Sequence, residues 1–187
     1  PLNGIIGYAQ VLMKDRAMAG PQRERMAIVH ASGQHLLRMI NEVLDFSKIE
    51  AGKLERHDAP IHFSQLLREL TLTHEAAATN RGLAFAVETP ERLPEFVVGD
   101  AQKLRQVLDN LLSNAVKFTR QGAITLRIER AGPAAGQADA PARWRFTVAD
   151  TGVGLGPEDR ARLFQPFEQA RDGRPAEPGT GLGLAIS

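Results

Sequence analysis

Apolar positions in the first third of the chain recur at helical spacing. Ile5 to Lys14 is apolar-rich and free of breakers, and Asp15 to Gln22, with Gly20 and Pro21, has the chemistry of a turn. A second helical pattern runs from about Arg23 to Glu55. Within it Leu36, Met39, Ile40, Val43 and Leu44 keep the i, i+3, i+4, i+7, i+8 spacing of one helix face. Val29 and Gly33 extend that face backwards, and Ile49 lies near its end. One short neighbour cannot bury so long a stripe. The pattern predicts a partner chain and a bundle of two helical hairpins, a four-helix bundle in the dimer. An extended helix packed on its own domain is the alternative.

After His57 the periodicity changes. Ala59 to Phe63 reads as a short strand, Ser64 to Asn80 as a helix with Leu66, Leu67 and Leu70 on one side, and Gly82 as its stop. Leu83 to Glu88 alternates like a strand. Asp100 is an expected N-cap for a helix reaching about Phe118. Ala123 to Glu129 and Arg143 to Ala149 are expected to pair, joined by a disordered Ala, Gly and Pro-rich loop from Ala131 to Ala142. The expected organisation is α+β: a helical hairpin over residues 1–57, then a domain over residues 58–187 that mixes helices with a largely antiparallel sheet.

Composition narrows the function classes. The 187 residues are 43% hydrophobic and 24% charged, which is globular. A net charge of +1 gives no electrostatic reason to expect nucleic acid. The absence of cysteine removes disulfides, thiolate metal sites and cysteine nucleophiles, and fits a reducing compartment. No run approaches the roughly 20 apolar residues of a membrane span, and no signal peptide is visible. The expected location is the cytoplasm, with membrane attachment of a parent protein left open. A start at Pro1 and a stop in an apolar run lead us to expect a fragment of a longer protein.

The most informative segment is Asp109 to Thr119. Leu104, Val107, Leu108, Leu111, Leu112 and Ala115 form its apolar stripe. At roughly 100° per residue, Asn110, Asn114 and Lys117 fall within about 60° of one another, making a polar column on the flank of that stripe. Asparagine is a poor mid-helix residue because its amide competes for backbone hydrogen bonds. An amide oxygen is a hard neutral ligand suited to Mg²⁺, and a nearby lysine can meet phosphate oxygens. The same residues also fit a solvated helix face.

Two glycine-rich stretches follow. Asp150-Thr151-Gly152-Val153-Gly154 leaves a predicted strand. A carboxylate there can accept from an exocyclic amine, and glycines let the backbone approach a flat base. An ordinary polar turn is the alternative. Gly179-Thr180-Gly181-Leu182-Gly183-Leu184 reads as a loop opening a helix, a place that attracts phosphate. It is neither a Walker loop nor a Gly-x-Gly-x-x-Gly fingerprint. Between them, Leu163-Phe164-Gln165-Pro166-Phe167 is an aromatic anchor, and Gln169 to Pro178 reads as a flap hinged at both ends.

In this order the pieces resemble the histidine kinases of two-component signalling, in particular the hybrid type. Asp109 to Thr119 is similar to the N box, Asp150 to Gly154 to the first glycine box, Leu163 to Phe167 to the F box, and Gly179 to Gly183 to the second glycine box. Leu44-Asp45-Phe46-Ser47-Lys48-Ile49-Glu50-Ala51-Gly52-Lys53-Leu54 is similar to the second dimerisation helix, and Pro1 to Ile5 to the tail of the H box. The resemblance implies an α/β sandwich of the type shared with gyrase and heat-shock chaperone ATPases, with ATP and Mg²⁺ as cofactors. It implies that Asn114 holds Mg²⁺, that Asn110 assists at the phosphates or metal, and that Lys117 contacts phosphate. Asp150 would bind the adenine amine, Gly152 and Gly154 would shape the base pocket, and Phe164 and Phe167 would anchor the lid. Thr180, Gly181, Leu182 and Gly183 would line the phosphates. The implied reaction moves the γ-phosphoryl group to a histidine and on to an aspartate of a receiver domain. The implied partners are a second copy of the chain and that receiver.

The family's phosphoacceptor histidine lies five residues before the H-box proline, a position that falls before Pro1. None of His30, His35, His57, His62 and His74 has that context, so autophosphorylation is not expected from this chain alone. Two other readings are compatible with the boxes. One is a non-catalytic nucleotide-sensing scaffold. The other is a hydrolytic ATPase of the same superfamily, which would need a glutamate where Asn110 stands.

Overall fold

A computed structural model describes residues 1–15, 18–132, 143–166 and 181–186. Helix α1 (Leu2–Lys14) and helix α2 (Gly20–Glu50) form an antiparallel hairpin. Gly33 makes the close approach possible, since a Cβ there would stand 2.8 Å from Cγ1 of Ile6. Ala9 and Gly33 are the buried residues of the two helices. The remaining apolar row stays uncovered: Ile40 is 44% exposed and Val43 45%.

Helix α2 ends earlier than its pattern predicts, at Glu50 rather than about Glu55. Gly52 takes φ +64°. The Gly52 N–H donates to Ile49 O at 3.0 Å and the Lys53 N–H to Lys48 O at 2.8 Å. This paired closure satisfies the last carbonyls and turns the chain out of the helix, overriding the helix-forming residues beyond it.

The second domain begins with β1 (Ala59–His62) and α3 (Phe63–Asn80). Gly82, at φ +70°, stops α3 by the same device, with Leu83 N–H donating to Ala78 O at 3.0 Å. There follow β2 (Ala84–Glu88), β3 (Phe96–Gly99), α4 (Ala101–Phe118), β4 (Ala123–Ala131), β5 (Arg143–Asp150) and the short α5 (Pro157–Arg162). Strand β3 is an element that the hydrophobic pattern did not announce. It pairs antiparallel with β1, Ile61 facing Val97. The other sheet runs β2-β4-β5. Its β4/β5 pair is antiparallel as expected, with Leu126 opposite Val148. Its β2/β4 pair is parallel, the one parallel pair among the described strands, so the pairing is largely antiparallel as expected. Parallel neighbours need a crossover, and α4 lies in it. The expected disordered loop falls mostly outside the described residues.

The core lies between the helices and this sheet. Ile124, Leu126 and Ile128 alternate inward from β4 and meet Leu66, Leu67 and Leu70 of α3 and Leu108, Leu112 and Ala115 of α4. Phe63, at the start of α3, packs on Trp144 and Phe146 of β5 at ring distances of 5.1 and 6.1 Å. Among the described residues, no helix is long and apolar enough to cross a membrane.

Candidate functional site: the asparagine helix and its glycine loops

Helix α4 carries the site because its two flanks have different tasks. Asp100 caps it, Oδ1 accepting from the Lys103 N–H at 3.1 Å, and Leu108, Leu112, Ala115 and Val116 anchor its apolar face. The polar flank is thereby turned out of the core. Asn110 and Asn114, one turn apart, are half-buried there. The Asn110 amide donates from Nδ2 to the Gly183 carbonyl at 3.1 Å. Two segments 73 positions apart are so brought together. Leu182 is fully buried and fixes the glycine segment, Gly181 turns it at φ +70°, and Ile186 N–H donates to Leu182 O at 3.0 Å, closing one helical turn. Lys117 is half-buried, with its ammonium 5.1 Å from the Phe118 ring centre, and its carbonyl accepts from Arg81 Nη2 at 3.4 Å.

Asp150 is the last residue of β5, beside Ile124. Its Oδ1 accepts from the Gly152 N–H at 2.8 Å, which orients the carboxylate across the loop mouth. Gly152 is required there: a Cβ would stand 2.8 Å from the Phe118 carbonyl and 2.7 Å from Asp150 Oδ1. Thr151 ties this loop to the turn before β4, its Oγ1 accepting from the Ala123 N–H at 3.0 Å. Gly154 follows at φ +69°. Val153 and Leu155 of this segment are exposed, and so is Phe164 further on, by 68%. The second glycine segment thus meets the α4 column at Asn110, and the first meets the C-terminal end of α4 at Phe118. Phe167 and Thr180 lie outside the described residues.

One residue in this region escaped the sequence reading. His74 of α3 is buried, and its Nε2 lies 2.8 Å from Asp109 Oδ1. The signal was present, since His74 stands at the core spacing of Leu70 and Ala78, where a polar group needs a partner. The contact turns Asp109 towards α3, away from the side of α4 that meets Gly183. On α3 and α4 the Glu69 carboxyl is held below its usual range by Gln65 first and then by Arg105, which it also pairs. Asp100 is lowered in the same sense by the backbone N–H groups of His57 and Lys103. Among the described residues no group of three His, Cys, Asp or Glu could hold a metal ion.

Two family models match the chain. The His Kinase A (phospho-acceptor) domain covers residues 1–52, and the histidine kinase-, DNA gyrase B- and HSP90-like ATPase covers residues 99–187. The sensor protein GacS of Pseudomonas syringae pv. syringae is 40% identical over 188 residues, spanning 100% of this chain and 20% of that protein. The aerobic respiration control sensor protein ArcB of Escherichia coli K12 is 34% identical over 189 residues, spanning 100% and 23%. Among solved structures, full-length ShkA in complex with AMPPNP superposes with a TM-score of 0.73 at 38% identity, covering 100% of this chain and 36% of that one. The chain thus spans a fifth to a quarter of the length of the curated relatives it matches. With the helical hairpin, the α/β domain and the asparagine helix facing two glycine loops all in place, the chain belongs to the sensor histidine kinases.

Proposed function

We propose that this chain is the dimerisation and ATP-binding core of a hybrid sensor histidine kinase. Residues 1–57 would form the dimerisation segment and residues 58–187 the catalytic domain. The reaction is transfer of the γ-phosphoryl group of Mg-ATP to a histidine and then to a receiver-domain aspartate. The contact between Asn110 and Gly183 carries the reading, because it sets the asparagine column against a glycine loop. AMPPNP in the ShkA complex supports ATP as the ligand.

The residues divide the work by their chemistry. Asp150, oriented by Gly152, accepts from the exocyclic amine of adenine, and Gly152 and Gly154 keep side chains off the base. Thr180, Gly181, Leu182 and Gly183 line the phosphates, and Phe164 and Phe167 anchor the lid. Asn110 and Lys117 position the transferring group and offset its charge. Asn114 fits Mg²⁺. Its side chain is half-buried and makes no hydrogen bond among the described residues, and an amide oxygen suits a cation that keeps most of its shell as water and phosphate. When bound, the metal neutralises phosphate charge. The uncovered row on α1 and α2, Ile40 and Val43 included, is the face for a second copy, giving a homodimer. A cytoplasmic location fits the lack of cysteine.

Titration with a fluorescent ATP analogue, with and without Mg²⁺, tests the site. Binding is expected to need Mg²⁺. Asn114→Ala, which removes a metal ligand, and Asp150→Ala, which removes the acceptor for the amine, should each weaken it by about tenfold or more. Mg²⁺-independent binding that ignores both substitutions overturns the assignment.

A further inference from the structure

Helix α2 and the catalytic domain are joined by residues 51–58, an exposed stretch without helix or strand. By default such a joint lets the two parts move. One hydrogen bond joins α2 to the domain directly, and a second ties the far end of the joint to it. Asp45, near the end of α2, accepts at Oδ2 from Gln106 Nε2 of α4 at 2.9 Å, in a half-buried setting. Asp100, the cap of α4, accepts at Oδ2 from the His57 N–H at 3.0 Å while Oδ1 serves Lys103.

The placing of Gln106 gives the first contact its meaning. Gln106, Asn110 and Asn114 stand at i, i+4 and i+8 on one stripe of α4. The column therefore continues one turn beyond Asn110, and its last member is bound by the hairpin rather than by the domain. In both contacts the acceptor is a carboxylate, so the hydrogen bond is charge-assisted and stronger than one between neutral groups. Both contacts bear on one helix, Asp100 as its cap and Gln106, which Asp45 holds, about 1.7 turns further along.

We propose that Asp45 and Asp100 are the two pins of a latch that fixes the catalytic domain at one station along α2. With both closed, α2 and α4 move as one body. With Asp45 released, the domain pivots on residues 51–56, ahead of the His57 that Asp100 holds, and Gln106 leaves α2. The consequence for catalysis rests on the function proposed above, since a kinase whose acceptor is carried by the hairpin must set where its nucleotide stands along that helix.

The cysteine-free chain makes the test direct. Glu50→Cys and Gln102→Cys, both exposed, receive spin labels, and labelled chain is diluted into unlabelled chain so that only distances within one copy are read. No nucleotide is added. The parent should give one narrow distance. Asp45→Ala and Gln106→Ala should each broaden it about twofold or more, as expected of a freed domain joint. Asp45→Asn, whose amide oxygen can still accept, should keep it narrow. Asp100→Ser keeps a cap for α4 but is too short to serve His57 as well, so it tests the second pin without unwinding the helix. Circular dichroism checks that each variant is folded. A distribution unchanged in Asp45→Ala, or already broad in the parent, overturns the latch. Failure of the ATP titration instead overturns the proposed function and leaves the latch standing.

Discussion

The hairpin and the catalytic domain solve the burial problem in opposite ways. The catalytic domain folds its apolar residues into one core shared by α3, α4 and the β4 face. The hairpin buries Ala9 and Gly33 and leaves Tyr8, Ile28, Leu36 and Leu44 in solvent. Its helices meet through a glycine, so they come close without large side chains between them, and their large apolar groups point outward. An intramolecular core makes a domain stable at any concentration. A row left outward makes stability depend on how much protein is present where, as proposed, a second copy covers it.

The sharpest way to break this contrast is Leu112→Ala, which empties a fully buried position on α4. It should cost the catalytic domain about 3–5 kcal/mol and leave hairpin helicity alone, read by chemical denaturation with Trp144 fluorescence beside circular dichroism. Equal loss of both signals would mean that the two regions unfold as one. Ile40→Asp with Val43→Asp should do the reverse. The isolated chain keeps its catalytic domain, while removal of two apolar contacts in each copy, four in the dimer, at about 1.5 kcal/mol each raises the dimer dissociation constant roughly 10,000-fold in sedimentation equilibrium. An unchanged dimer would place the interface elsewhere.

His74→Ala should cost about 2–3 kcal/mol, for lost packing and for Asp109 left without its partner, again confined to the catalytic domain. The smallest effect concerns the joint. Asp100 is held below the ordinary aspartate range, so the fold favours its charged form. Its contribution is complete above that ordinary range and fades as pH falls through the lowered value. The NMR shift of the His57 amide should therefore move at a pH below that at which free aspartate titrates. A midpoint in the ordinary range would mean that the tie is not formed in solution.

What could be read from the sequence follows the range of the forces involved. Helix α4 was legible to its ends because a local cap, Asp100, and a local period define it. The end of α2 was equally local, a glycine stop like Gly82, and was masked only by the helix-forming Lys53 to Glu55 that follow it. Strand β3 is four residues long and exists through its pairing with β1, more than thirty positions away. The direction of β2 against β4 is a property of the crossover, not of either strand. The same division holds at the site. The column of Asn110, Asn114 and Lys117 is a matter of angle along one helix. The Gly183 carbonyl facing Asn110, the Asp109 partner of His74 and the Asp45 partner of Gln106 are long-range facts that no local pattern encodes.

The crossover has a consequence for how the molecule is made. Ala84 cannot find Ala123 until the intervening chain has been folded back, and that chain contains the whole of α4. Closing an unstructured loop of that length is slow, whereas a preformed helix shortens the search. The helix that bears the asparagines is then on the route to the sheet. Changes to its inner face should slow refolding more than they hasten unfolding, whereas changes to the glycine segment that Leu182 anchors should act on the unfolding rate alone.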